Sequence, residues 1–589
     1  MTFKMSRAAL SALVAFLFST VTTAQDTTYL KIIVSTDVHG SVLPYDILDA
    51  RSRPNSLAQV YSYVMNERQK KNQEVIFLDN GDILQGDPFI YYYNFIDTSG
   101  IHPMARVMNF MQYDATTIGN HDIEAGHPVY DKLNMQFDFP WLGANIIDET
   151  TGLPYFKPYT MIEKNNKKIA ILGLCTPAIP QWLPEELWSG MHFEDMLVSA
   201  RSWVRYIQRN EKPDLLIGLF HSGAPDVEYP DGIPANLEQA SRVIAQRVAG
   251  FDVVFTGHDH RRWNEFVPNL SEGYTLLLGG GNNARNLAVA DIILISDTIS
   301  NSTRKELQGN IADMTKLPAH EGFLDQFFDY VYPVQDFVKQ PVGALTDSLF
   351  SRDALFGSSM FVNLVHHIQL EITKADLSFS APLSFDAVIP AGKLTRGDLF
   401  KLYRYENQLY TMQLSGQEVL DVLEFSYSNW LNQMKTSSDH LLNFVKDEQG
   451  KLVTDPYGRP QTATPHFNFE SAAGIIYTVD VSKPAGQRVN IISMIDGRPF
   501  SADSTYEVAI NSYRASGGGG HLTTGAGIPH DELNRRITYT SGQDLRFMIM
   551  EWIRENKVPP SSPYVNWSIV PTDWHLKGKA KDAALLFKK

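Results

Sequence analysis

The stretch Asp114-Ala-Thr-Thr-Ile118-Gly119-Asn120-His121-Asp122 decides how the chain reads. Residues 114–118 are mostly small, apolar or β-branched, so they predict a strand, and Gly119 predicts the tight turn that ends it. The Asn120 amide oxygen suits a divalent metal, and the His121 imidazole beside it can give or take a proton. Layered α/β folds place their sites in loops at strand ends.

Four further motifs repeat this arrangement, each behind an apolar run. Asp37-Val38-His39 closes the first strand. Alternate residues of a strand point the same way, so this carboxylate and imidazole can share one ion. Asp82 stands in Asn80-Gly81-Asp82, His221 in Phe220-His221-Ser222-Gly223, and His258 and His260 in Thr256-Gly257-His258-Asp259-His260. Without His121 the tally is four imidazoles, two carboxylates and one amide. That exceeds one tetrahedral zinc site. It fits two ions about 4 Å apart with a shared carboxylate.

Outward from these motifs, apolar runs at Leu30–Val34, Val75–Leu78, Ile169–Leu174, Leu215–Phe220, Val253–Phe255 and Thr275–Leu278 alternate with helical stretches at Ser56–Lys70, Met104–Met111 and Leu197–Arg209. This predicts an α/β layered domain over residues 25–318. Ser296–Lys316 is polar and aperiodic and reads as an inter-domain passage. Glu321–Phe337 reads as a connecting helix within a linker over residues 319–339. A second, α+β domain follows over residues 340–577. Its expected helices are Ser358–Lys374, Gly416–Met434 and Gly542–Asn556. Its expected strands are Gln408–Leu414, Gly474–Val481 and Thr505–Asn511. Residues 578–589 read as a tail, either a short exposed helix or disordered.

With 589 residues, 43% of them hydrophobic, the chain is too long for a single core, which agrees with two domains. A net charge of −15 argues against nucleic-acid polymers as partners. A small phosphate can still bind where metals supply positive charge. Lys4 and Arg7, the apolar stretch Ala8–Val21 and the small residue Ala24 predict a secretory signal over residues 1–24, hence a periplasmic or secreted protein. The alternative, a membrane anchor, needs roughly 20 apolar residues, more than this stretch offers. The single cysteine, Cys175, lies in an apolar run and reads as a buried core residue.

Asp37-x-His39, Gly81-Asp82, Gly119-Asn120-His121-Asp122, His221 and Gly257-His258-x-His260 resemble the calcineurin-like metallophosphoesterases. Their order and spacing are similar to the 5′-nucleotidase/2′,3′-cyclic phosphodiesterase branch. The resemblance implies an α/β/β/α metal-bearing sandwich followed by a substrate-binding domain, and two divalent ions such as Zn, Mn or Fe. Carried over by motif, Asp37, His39, Asp82 and His260 would hold one ion. Asp82, Asn120, His221 and His258 would hold the other. His121 would face the substrate phosphate, with Glu124 as its orienting carboxylate, whereas Asp122 and Asp259 read as structural or turn residues.

In the second domain, Tyr403-Arg-Tyr-Glu-Asn407 and Asn511-Ser-Tyr-Arg514 with its glycine run Gly517–Gly520 resemble the family's base-clamp motifs. Tyr405 and Tyr513 would sandwich a flat base, with Asn407 as a hydrogen-bond partner. The glycine run would let a ligand approach the backbone. Phe467-Asn468-Phe469, Gly474 and Tyr477 are most similar to the 2′,3′-cyclic-nucleotide 2′-phosphodiesterase/3′-nucleotidase members, and Gly474 joins the expected substrate site. The 5′-nucleotidases carry an Arg in a Gly-rich stretch that meets phosphate. Here Ser380–Asp386 has none. The implied substrates are 2′,3′-cyclic and 3′-nucleotides. The rivals are a 5′-nucleotidase or nucleotide-sugar hydrolase and, from another class, a non-catalytic nucleotide-binding surface protein.

Overall fold

The computed structural model describes residues 25–230, 232–297, 302–454, 458–556 and 566–587. The expected secretory signal, residues 1–24, lies outside them. Two six-stranded sheets build the first domain. One runs Ser302–Asp313, Asn286–Asp297, Gln25–Ser35, Glu74–Asp79, Ala115–Thr117 and Trp141–Leu142 across its width. The other runs Arg262–Pro268, Tyr274–Gly280, Val253–Thr256, Leu215–His221, Lys167–Cys175 and Tyr159–Lys164.

Ile32, Leu78, Ile171, Leu219, Phe255 and Leu278, drawn from both sheets, form one buried cluster, so the sheets pack face to face. Each outer face carries helices. Leu57–Arg68 and Pro103–Met111 cover the first sheet, and Met196–Asn210 and Ser241–Arg247 cover the second. This is the expected four-layer α/β/β/α sandwich. Its central strands are buried on both faces, which is why they read as continuous apolar runs. Cys175 is fully buried within one of them.

Within each sheet the strands that carry the motifs pair in parallel with one another. Asp37, Asp82, Asn120, His221 and His258 therefore all emerge at carboxyl ends on one rim, where open α/β sheets bind ligands.

Three expectations need correction here. The supposed passage Ser296–Lys316 contains the strand Ser302–Asp313, paired along its length with Asn286–Asp297. It lies at the sheet edge, where charged residues such as Arg304, Lys305 and Glu306 discourage further pairing, and that polarity masked its strand character. The connecting helix is two helices, Glu321–Phe327 and Val331–Val338, split by a tight turn at Phe328–Tyr330. Pro333 explains the break, since its ring clashes with the carbonyl four residues earlier. Finally, residues 578–586 take the helical alternative for the tail, but the helix is packed rather than wholly exposed. The helix Thr572–Leu586 buries Gly578, Asp582 and Leu586.

The second domain is α+β. Its five-stranded sheet is ordered Ser471–Ala473, Leu377–Ser380, Thr505–Asn511, Gln408–Ser415 and Ile537–Asp544, and helices Met360–Thr373, Gly416–Trp430 and Leu545–Asn556 surround it. Arg546 ties it to the first domain. Its guanidinium lies 3.9 Å from the centre of the Phe400 ring and 4.5 Å from that of Tyr91, and Tyr91 belongs to the first domain. Tyr91 also donates to Asp544 across 3.3 Å, and Lys401 pairs with Asp49 at 2.9 Å.

Asp582 accepts from the backbone N–H groups of Leu441 and Leu442 and pairs with His440, all within 2.9 Å. Asp582→Ala leaves buried donors unpartnered and should cost about 2–4 kcal/mol of stability. A lowered urea midpoint with unchanged metal content is expected. An unchanged midpoint would mean that this helix is not integral to the domain.

Candidate active site

Backbone strain marks the rim. Asp37, His39, Asp82, His258 and His260 all have φ between 46° and 72°, a region non-glycine residues seldom occupy. Glycines then let the loops close on one another. A Cβ on Gly119 would stand 2.2 Å from Asp82 Oδ1, and one on Gly257 would stand 2.4 Å from Thr36 Oγ1. Gly119 and Gly257 are thus required by packing.

Asp122 locks two of these loops together. Its Oδ2 accepts from the N–H groups of Asp82 and Gly119 at 3.0 and 2.8 Å, and its Oδ1 from those of Ile83 and Leu84 at 2.8 and 3.1 Å. Asp259 has a comparable structural role, accepting from Ala224 N–H, Arg261 N–H and the Trp263 indole. Both match their expected structural reading.

Among the described residues, two groups of side chains converge closely enough to hold a metal ion: Asp37, His39 and His260, and Asp37, Asp82 and His221. The carboxylate common to both is Asp37, whereas the motif carry-over gave that place to Asp82. Asp82 nonetheless sits between the groups, its Oδ2 3.2 Å from His221 Nε2; burial raises its pKa, but His221 and then His121 outweigh that and hold its carboxyl well below the usual range. Asn120 Oδ1 lies 3.2 Å from His221 Nε2 and 2.9 Å from His258 Nδ1. All seven expected ligands therefore meet.

The donor set fits cations. His39 Nδ1 bonds the Gln85 carbonyl at 3.2 Å, His221 Nδ1 the Asn80 carbonyl at 2.6 Å, and His258 Nε2 the Glu238 carboxylate at 2.9 Å. Each bond fixes one ring nitrogen as donor and leaves the other aimed inward, as metal-binding imidazoles require. His39 Nε2 and His260 Nε2 face each other at 3.0 Å, a contact between two nitrogens that calls for a proton or a cation. Burial, and then His260, depress the pKa of His39 to about 3, so its ring is neutral and a competent ligand.

His121 stands apart. Its backbone N–H donates to Asp82 Oδ1 at 2.9 Å, and its Nδ1 hydrogen-bonds Glu124. Burial opposes its charge, but Asp82 and Glu124 prevail and raise its pKa to about 9. Nε2 is left to face the cavity as a proton donor.

That cavity, of about 590 Å³, joins the domains. His39, Asn120, His121, Glu124, His258 and His260 line it from one side, and Tyr405, Asn407 and Tyr513 from the other. Gly474 is not among its lining residues. It sits at positive φ where a Cβ would meet the Asp376 carbonyl at 2.2 Å, so its expected substrate role gives way to a backbone crossing. Tyr477 is core, bonded to Tyr427. The glycine run also proves internal, since a Cβ on Gly518 or Gly519 would strike Tyr513 or Arg514 of the same loop. Sequence reading missed Trp182 and Glu238 as lining residues, because neither belongs to a metal or base motif, and it passed over Arg404 although that residue stands within the base-clamp stretch. It also missed Phe467 as an aromatic wall, edge-on to Tyr405 at 6.4 Å, although the Phe467-Asn468-Phe469 stretch had been singled out.

Residues 30–262 match the family described as calcineurin-like phosphoesterase, and residues 341–525 the 5′-nucleotidase C-terminal domain. The chain is 25% identical to a 2′,3′-cyclic-nucleotide 2′-phosphodiesterase/3′-nucleotidase of Yersinia enterocolitica, over 95% of this chain and 91% of the relative. It is 26% identical to the trifunctional nucleotide phosphoesterase protein YfkN of Bacillus subtilis, over 92% of this chain but only 39% of that longer protein. In fold it resembles the 5′-nucleotidase precursor of Thermus thermophilus, with a TM-score of 0.61 at 19% identity over 92% of this chain and 99% of that one.

Asp122 touches none of the inward-facing nitrogens, yet Asp122→Asn places an NH₂ against backbone donors. Metal affinity should fall about 10- to 100-fold, as for other outer-shell changes. Competition with a chromogenic chelator reads this directly. Parental affinity would show that the loops hold their positions without it.

Proposed function

We propose, from the premise that this chain is a metal-dependent phosphoesterase joining a calcineurin-like phosphoesterase domain to a 5′-nucleotidase C-terminal domain, that it hydrolyses 2′,3′-cyclic nucleotides and 3′-nucleotides to nucleoside and phosphate. One observation carries this reading. The convergent metal-ligand group and His121 open into the same cavity as Tyr405 and Tyr513 of the other domain. A nucleotide bridges them, base against the tyrosines and phosphate toward the metals. The choice of 2′,3′-cyclic and 3′-nucleotides draws on the similarity to the Yersinia relative and on the absence of an arginine from Ser380–Asp386.

Among the described residues no helix is long and apolar enough to cross a membrane. Export rests on the signal-like residues 1–24. Asp37, His39, Asp82 and His260 would hold one divalent ion, and Asp82, Asn120, His221 and His258 would hold the other. When bound, such ions supply a nucleophilic hydroxide near neutral pH and neutralise phosphoryl oxygens. The chain's own residues do the rest. Glu124 holds His121 Nδ1–H, so Nε2 presents a proton to the departing oxygen. Tyr405 and Tyr513 confine the base, and Asn407 offers its amide beside them.

The reading is tested by assaying 2′,3′-cyclic, 3′- and 5′-nucleotides with defined metals. Turnover of the first two above the third is expected, and a reversed order would favour the 5′-nucleotidase rival. Asp82→Asn should lose both ions and all activity, while Asp37→Asn should retain one ion by elemental analysis. The opposite result would make Asp37 the shared ligand. His121→Ala should keep its metals while kcat falls roughly 10²- to 10⁴-fold. Loss of metal as well would make His121 a ligand. Tyr405→Ala or Tyr513→Ala should raise KM for nucleotides, at roughly 1–3 kcal/mol per stacking contact, and barely alter hydrolysis of bis-nitrophenyl phosphate. Equal damage to both would assign the rings to the fold.

A further inference from the structure

Trp182 follows a short turn, Ile179–Gln181, and its backbone N–H bonds the Ile179 carbonyl at 3.0 Å. Its indole lies nearly flat on the His258 ring, 5.4 Å between centres and 22° between planes. It is only partly buried, and it lines the cavity together with Leu183. An indole that closed a core would be covered, and this one keeps surface toward the cavity.

The base of a mononucleotide is a single planar group, and Tyr405 and Tyr513 already supply its rings from the second domain. Trp182 offers a further aromatic face from the first domain, beside the ligand group that faces the phosphate. A ring bound there is attached through the phosphate rather than through the ribose of the clamped nucleoside. We propose that Trp182 is a stacking platform for a second planar group, so that the site takes phosphodiesters joining two nucleosides. This rests on the nucleotidase reading above and names a further substrate class for the same site. Aromatic stacking accepts any base, so the platform discriminates by the presence of a ring rather than by its identity. In the reaction a water oxygen bonds to phosphorus and the P–O bond to the outgoing nucleoside breaks. That oxygen takes up a proton, leaving one nucleotide and one nucleoside.

Steady-state kinetics of the parental enzyme, Trp182→Ala and Trp182→Phe test this with adenylyl-(3′→5′)-adenosine and adenosine 3′-phosphate, each protein checked for metal content. Trp182→Ala should raise KM for the dinucleoside about 10- to 100-fold and shift the monoester KM less than about twofold. Trp182→Phe should recover most of the difference. Equal shifts for both substrates, no shift for either, or loss of metal from Trp182→Ala would overturn the proposal, the last by making the indole a support for His258. If the parental enzyme cleaves adenosine 3′-phosphate but not the dinucleoside, the nucleotidase reading stands and this proposal falls. If it cleaves neither, both fall.

Discussion

The Asp122 carboxylate, accepting from the backbone N–H groups of Asp82, Ile83, Leu84 and Gly119, is the interaction on which the rest of the site depends. It joins the loops that follow two adjacent parallel strands, and so sets Asp82 and Asn120 at a fixed separation. Such a carboxylate is costly to bury. Burial, and then the charge of Asp82, push its pKa up to about 7. The bonds it accepts offset that cost only while both loops hold their positions. The left-handed backbones at Asp37, His39, Asp82, His258 and His260 belong to the same arrangement. They turn short loops sharply enough for side chains from both sheets to meet.

A second constraint acts between the domains. Arg546 donates to the Tyr403 and Arg404 carbonyls and pairs with Glu406, so it holds the backbone that presents Tyr405 and Asn407. The same guanidinium packs on Tyr91 of the first domain. One side chain thus links the base-facing segment to the metal-bearing domain, and the placement of Tyr405 depends on the inter-domain contact as well as on its own loop. Glu406 is turned toward Arg546, which explains why it is absent from the cavity although both its neighbours line it.

Much of this was legible in the sequence because the chemistry is local. Each metal-facing residue sits within four residues of a strand end, so hydrophobic runs and short polar motifs were enough to find it. The layered α/β domain followed from its apolar runs, and the four-layer form from what the family resemblance implies. What escaped has a physical reason in each case. The edge strand Ser302–Asp313 carries too many charges to read as a strand. Gly474 and Gly518 look like ligand-approach glycines, yet they serve backbone crossings and ring packing that only tertiary structure reveals. Trp182 and Glu238 reach the site from long loops with no periodic signal.

The central claim is that two metal ions and a nucleobase clamp serve a single substrate across one cavity. Anomalous diffraction from crystals grown with manganese and a non-hydrolysable 3′-nucleotide analogue tests it most directly. The account predicts two anomalous peaks about 3.5–4 Å apart among Asp37, Asp82 and the inward-facing histidines, with the phosphate on them and the base against Tyr405 and Tyr513. A single peak, or a base bound away from both tyrosines, would contradict it.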